Sequence, residues 1–271
     1  MNSSALVTAV IPSYNHAKYI KESIQSMLDQ DYENMEMIII DDGSSDNSIE
    51  IIESMIPLCK KRFKRFEFRH RENKGLCATL NEAIIWANGE YISILASDDI
   101  ALSHKISFLI GKIENSNYPA VFGDIKRIGE RNDKEPNIKE FTIHTFDEIF
   151  TLQNRPFAPS SMYKIEALKK IGGYPVDIAV EDWYMELKFT ENNSKIVSYP
   201  EVLTYYRRHN KNTSKNYELI YNNFIKIVDN YKNHKLYFKA RRLCDIYLIK
   251  ISLANNCLSD TLNMKVEELI S

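Results

Sequence analysis

EMIIIDDGSSD, residues 36–46, decides the fold. Residues 36–41 are short, apolar and rich in isoleucine, the mark of a strand buried on both faces. They run directly into Asp41-Asp42-Gly43-Ser44, which hands over to a helix starting near Ser45. A doubly buried strand followed at once by a helix is half of a βαβ unit, so the sheet is parallel and covered by helices.

The flanking sequence repeats the pattern. Residues 5–11 form a strand closed by Pro12, and Ile20, Ile24, Met27 and Leu28 stripe the helix that follows. The helix near Ser45 turns Ile49, Ile52 and Ile56 inward and ends at Pro57. A strand at 65–69 precedes a helix striped by Leu76, Leu80, Ala83, Ile84 and Ala87 and stopped by Gly89. Then come a strand at 91–95, a helix at 104–113 and a short strand at 120–122. The fold class is α/β: a Rossmann-like, mostly parallel sheet flanked by helices.

Past Asp124 the alternation fails. Thr145 and Glu148 form a capping box, residues 164–171 a helix closed by Gly172-Gly173, and residues 181–191 another helix. Residues 195–199 and 202–206 read as two strands. From Tyr217 the chain is helical, with Ile220, Phe224, Ile227, Val228 and Tyr231 in one stripe that could also join two copies as a homodimer.

With 271 residues, 44% hydrophobic and 27% charged, the chain suits one large α/β domain with a C-terminal helical appendage. A net charge of −2 argues against nucleic acid as a partner. Cys59, Cys77, Cys244 and Cys257 have no zinc spacing. Free thiols and a start without a basic leader give a cytoplasmic expectation. No apolar run approaches the ~18 residues of a spanning helix. The basic cluster at 60–65 reads as a solvated helix end, or as peripheral contact with anionic lipid at the inner face of a membrane.

Parallel sheets bind ligands at the carboxyl ends of their strands. There the sequence places Ser13-Tyr14-Asn15, Asp41-Asp42-Gly43-Ser44 and Ser97-Asp98-Asp99. Adjacent carboxylates can hold Mg²⁺ or Mn²⁺ against a diphosphate; alone, they are equally cap aspartates. Phosphate-cradling glycine loops are absent, against dinucleotide or ATP binding. Asp182, before WYMELKF, is either a base in a partly apolar pocket or an acid favoured by a helix N-terminus.

In order, VIPSYN (10–15), IIIDDGSSD (38–46), NKG through ANGEYISILASDD (73–99), GGY through VEDWYMELKF (172–189) and YYRRHNKNTS (205–214) resemble family 2 inverting glycosyltransferases of the GT-A fold. The resemblance covers roughly residues 5–215. It implies a domain at 1–215, with a nucleotide-sugar half at 1–124 and an acceptor half at 125–215, and a helical extension at 216–271. It implies sugar transfer from a nucleotide diphosphate sugar, a UDP-sugar first, to a hydroxyl of a glycan, lipid-linked glycan or protein glycan in surface-glycan biosynthesis. Mn²⁺ or Mg²⁺ would assist.

By the same resemblance Pro12, Ser13, Tyr14, Asn15, Asn73 and Gly75 line the donor, with Tyr14 stacking near the base. Asp42 bonds the base's N–H edge and Asp41 supports the turn. Asp98 and Asp99 form the acidic motif, one touching ribose and the other the metal. Arg207 and His209 lie near the diphosphate, and Asp182 is the catalytic base, facing the Asp98/Asp99 pair across one cleft. The usual motif reads LDxDD; here Ala96 replaces its first acid, leaving open which aspartate meets the metal. Two rivals are a non-catalytic scaffold, supported by Ala96, and a sugar nucleotidyltransferase, whose glycine-rich loop VIPSYNHAKY lacks. His16, His70, His104, His144 and His234 show no partner in the sequence, and the C-terminal tyrosines, Tyr247 among them, read as packing residues.

Overall fold

Val7–Ser13 (β1) lies between Met35–Asp41 (β2) and Tyr91–Ile94 (β4), parallel to both, and β2 pairs in parallel with Phe66–His70 (β3). The crossovers are Ile20–Leu28 (α1), Ser48–Arg62 (α2) and Leu76–Trp86 (α3). The computed structural model describes residues 5–129, 138–209, 212 and 216–254. Beyond β4, Ser161–Lys164 (β8) enters antiparallel, followed by Ala120–Gly129 (β6) and, parallel to it, Ile196–Arg208 (β9). Ile100–Ala101 (β5) and Thr142–His144 (β7) each pair antiparallel with β9. The nine-stranded order is β3-β2-β1-β4-β8-β6-β9-β5, with β7 on β9. β1, β2, β4, β6 and β9 therefore share a direction, and their carboxyl ends open on one edge.

Four boundaries differ from expectation. β1 continues through Pro12, because the Val10 carbonyl already faces the β4 side and Pro12, two residues on, points past the end of β4. α2 continues through Pro57 to Arg62, since Pro57 lies on the exposed side while Ile52, Met55 and Cys59 keep the inner face buried. That face replaces the expected Ile49, Ile52, Ile56 set. β6 runs on to Gly129, and β9 is one long strand. The two share a ladder with register shifts at Asp124, where Gly123 leaves room for Leu203: a Cβ there would lie 2.4 Å from the Leu203 side chain.

Strand alternation splits the core between the two sheet faces. Val10, Ile38 and Ile40 face one side with α3, while Ile11, Met37 and Ile39 face the other with α1 and α2. Lys105–Ile113 (α4) covers the second face. On the first lie Phe146–Phe150 (α5), Ile165–Lys170 (α6), Glu181–Thr190 (α7), Tyr217–Asp229 (α8) and Tyr237–Ala254 (α9). The capping box at Thr145 and Glu148 is formed.

The C-terminal helices share this core. The Phe224 ring packs tilted against Trp183 of α7 at 4.5 Å and against Tyr247 at 5.2 Å, centroid to centroid. Of the stripe offered above for a dimer, Phe224, Ile227 and Val228 are buried against the chain itself and Ile220 and Tyr231 pack half-buried on the same core, with Tyr221 joining them. Phe224→Ala should therefore destabilise the whole fold by about 3–5 kcal/mol. A thermal melt should show one earlier transition; independent melting of the helices would show a separate unit.

The basic cluster is also partly spent internally. Arg62 donates to the carbonyls of Leu28, Gln30 and Tyr32, and Arg65 stacks 3.6 Å from Trp86. Among the described residues no helix is long and apolar enough to cross a membrane.

Candidate functional site

The ends of β1 and β2 are stitched together by side chains. Asp41, fully buried, accepts from the Ser13 hydroxyl (2.9 Å), the Ser44 hydroxyl (2.6 Å) and the Ser44 N–H (2.8 Å). Its charge is satisfied inside the turn. Asn15, in the left-handed region at φ 53°, donates its N–H to Ser44 and accepts the Ser45 N–H, both at 2.8 Å. Ser13 and Asn15 thus build the rim, and the half-exposed Tyr14 ring projects beside them.

Asp42 reaches toward β3 and α3. One carboxylate oxygen takes Arg71 and the Lys74 N–H (2.9 Å); the other takes the Gly75 N–H (2.9 Å). Each carboxylate oxygen can accept twice, so the second keeps an acceptor position. Gly43 permits this approach: at φ +81° its Cβ would lie 2.8 Å from the Asn73 nitrogen. Asn73 caps the same loop by accepting the Gly75 N–H at 3.2 Å. Arg71 was invisible as a functional residue in the sequence, for its role depends on a long-range pairing.

The turn after β4 separates the two adjacent aspartates. Asp98 meets His209 Nε2 at 2.9 Å and His16 Nε2 at 3.9 Å, both from the same oxygen, and Asn212 lies 3.4 Å from that oxygen. One ligand atom each from His16, Asp98 and His209 falls within 4.8 Å of the others. Asp99 turns inward, 1% exposed; one oxygen accepts the Arg207 N–H at 2.8 Å and the other has no hydrogen-bond partner. Desolvation and the charge of Asp98 push the Asp99 carboxyl up to about 8. Its largest cationic influence is Lys105 of α4, a wholly buried lysine that donates to the Pro159 carbonyl at 2.8 Å. Asp98 is therefore the aspartate placed with the histidines.

His16 corrects the expectation that it stands alone. Its Nδ1 bonds Ser97 at 2.7 Å, which leaves Nε2 toward Asp98. It follows β1 by three residues, so the strand-end rule could have singled it out. His104, His144 and His234 have partners elsewhere, in Glu201, Ser198 and Asp147. Tyr19 packs between His209 (5.1 Å, stacked) and the Arg207 guanidinium (4.9 Å), and Arg207 also bonds Glu22 at 2.5 Å and the Asp98 carbonyl at 2.9 Å.

Asp182 begins α7 and is partly exposed. Its Oδ1 accepts the Trp183 N–H at 2.6 Å and lies 3.4 Å from Arg155 Nη2. Desolvation, then the neighbouring Asp182, push the Glu181 carboxyl up to about 8. Arg155 and Pro159 link the acids: Arg155 touches Asp182, while Pro159 accepts from Lys105 and from Thr204 of β9. Only four peptide steps separate Arg155 from Pro159, so their Cα atoms lie within ~14 Å of each other.

Comparison with known proteins places the family and the fold. Residues 8–172 match the model of glycosyl transferase family 2. Glycosyltransferase GlyG of Streptococcus pneumoniae is 38% identical over 122 residues, 45% of this chain and 39% of that protein. The Escherichia coli UDP-Glc:alpha-D-GlcNAc-diphosphoundecaprenol beta-1,3-glucosyltransferase WfgD is 32% identical over 131 residues, 47% of this chain and 48% of that one. The aligned chain spans 27–39% of the first four curated relatives. S. aureus TarS 1-349 in complex with UDP-GlcNAc superposes with a TM-score of 0.68 at 21% identity, covering 90% of this chain and 71% of that chain. The mannosyltransferase PcManGT of Pyrobaculum calidifontis, in complex with GDP-Man and Mn²⁺, gives 0.66 at 15% identity, covering 97% and 78%. Both share the GT-A architecture with this chain.

Proposed function

The chain belongs to glycosyl transferase family 2, and from that premise we propose that it moves a sugar from a nucleotide diphosphate donor to an acceptor hydroxyl, with inversion. The observation that carries this is the convergence of Asp98, His16 and His209 at the carboxyl edge shared by β1, β2, β4 and β9, where Asp42 also lies at the end of β2, with Asp182 linked to that edge through residues 155–159. A UDP-sugar is the preferred donor. Tyr14 offers its exposed ring to the base, and the remaining acceptor position of Asp42 suits an imide N–H. The acceptor is a glycan or lipid-linked glycan of surface-polysaccharide assembly. Supporting a UDP-sugar, WfgD is a UDP-Glc-dependent glucosyltransferase and TarS binds UDP-GlcNAc.

Asp98, His209 and His16 fit a divalent cation, since one oxygen and two imidazole nitrogens converge there. The nitrogens favour Mn²⁺ over Mg²⁺, which prefers an all-oxygen shell. Such an ion would supply charge to neutralise the departing diphosphate. Arg207 of β9, bonded to the Asp98 carbonyl and to Glu22, adds a held cation beside that turn. Asp182 accepts the acceptor's proton as its oxygen attacks the anomeric carbon, and the nucleotide diphosphate leaves from the opposite face. No covalent sugar–enzyme bond is required.

Thermal shift with UDP-glucose, UDP-GlcNAc, GDP-mannose and ATP, each with and without Mn²⁺, tests the proposal. A donor at a hundred times its Kd should stabilise by about 2.7 kcal/mol, more in Mn²⁺ than in EDTA. A shift with ATP and none with any nucleotide sugar would overturn it.

A further inference from the structure

Arg155 belongs to none of the sequence motifs, yet it touches two acids of α7. Its Nε and Nη2 grip both oxygens of Glu186 at 2.7 and 3.1 Å, the paired geometry that fixes a guanidinium plane. The same Nη2 lies 3.4 Å from Asp182 Oδ1. We propose that Arg155 is the positioning residue for Asp182: clamped on Glu186, its guanidinium holds the Asp182 carboxylate as an anion in one orientation. The proposal rests on Asp182 acting as the base.

Asp182 and Glu186 are four residues apart on one helix, a like-charge pair that is unfavourable by itself. Glu186 is also 2% exposed, and a buried carboxylate needs a counter-charge. Arg155 answers both requirements with one group, and only a planar fork can grip Glu186 and still offer a hydrogen to Asp182. The two ends of this bridge differ: Glu186 is sealed in, whereas the Asp182 side chain is 38% exposed. Asp182 Oδ1 is held by the Trp183 N–H and faces Arg155. Oδ2 is left for the acceptor proton. Trp183 is itself wholly buried, with its indole N–H on the Ile149 carbonyl at 3.0 Å, so the helix start cannot drift.

The groups facing Asp182 come from several elements: Glu181 and Glu186 on α7, Tyr163 on β8, Tyr174 before α7, Tyr247 on α9, and Arg155. Arg155 is the cation among them; the others are neutral or anionic at any pH. It is therefore the group among them that can orient the Asp182 carboxylate by charge.

The test reads nucleotide release by the full-length protein, with donor affinity measured beside it. Because Arg155→Met strands the Glu186 charge and risks unfolding, Arg155→Met/Glu186→Met removes both buried charges together. In the folded double variant kcat should fall about tenfold or more with donor affinity unchanged, and Arg155→Lys, a cation without the planar fork, should restore only part of the rate. An unchanged kcat in the folded double variant overturns the role of Arg155. Asp182→Asn separates the two ideas: a lost rate there beside an unchanged double variant refutes only Arg155, while a retained rate in Asp182→Asn refutes the base itself.

Discussion

Asp182→Asn is expected to bind its nucleotide sugar as the parent does and to transfer sugar about 10²- to 10⁴-fold more slowly. The substitution keeps size and shape. An amide oxygen can still accept the Trp183 N–H, and Arg155 retains its two bonds to Glu186. The helix start should hold, with stability changed by less than about 1 kcal/mol. What disappears is the lone pair that takes the acceptor proton. Initial rates of nucleotide release with acceptor present, beside donor affinity by calorimetry, separate the alternatives. An unchanged rate would remove Asp182 from catalysis. A weakened donor affinity with a proportionate rate loss would move it into binding.

Asp182 stands in the first turn of a helix, as its sequence context implies, while the base role proposed for it depends on groups that only tertiary structure brings near. In the sequence, Asp182 is an acid in the first turn of a helix, and nothing nearby marks it as special. Arg155 is 27 positions away and Tyr247 is on α9, so the charge environment exists only after folding. The parallel half of the sheet was legible because β1, β2 and β4 are buried on both faces and each helix carries its own stripe. β6 and β9 were not, since Lys126, Arg127 and Glu201 interrupt the apolar pattern while the ladder between the strands still pairs. Pro57 misled for a related reason. Helix termination is a local preference of ~3 kcal/mol, and burial of Met55 and Cys59 on either side outweighs it. At the site, the strand-end rule found Asp42 and Asp98 but passed over His16, which is placed by the same rule.

Asp98→Ala should weaken Mn²⁺ binding ~100-fold or more, whereas Asp99→Asn should leave it within a few-fold of the parent. The two residues are neighbours of identical chemistry and differ in where their carboxylates are placed. Asp98 shares its oxygen with His209 and lies near His16, and His16 is oriented by Ser97; loss of even such outer partners typically costs 10- to 100-fold in metal affinity. Asp99 is buried and spends one oxygen on the Arg207 N–H, so its substitution should appear in stability and in the seating of β9. His209→Ala should fall on the Asp98 side of this divide, while His16→Ala measures whether the third group ligates or only orients. Mn²⁺ titration followed by electron paramagnetic resonance, in the presence and absence of UDP, reads each affinity directly. Equal losses for Asp98→Ala and Asp99→Asn would mean that the acid pair acts as one unit and that Asp99 leaves its buried position when the ion binds. A loss confined to Asp99→Asn would place the cation on the other side of the turn and free the Asp98–His209 pair for the diphosphate.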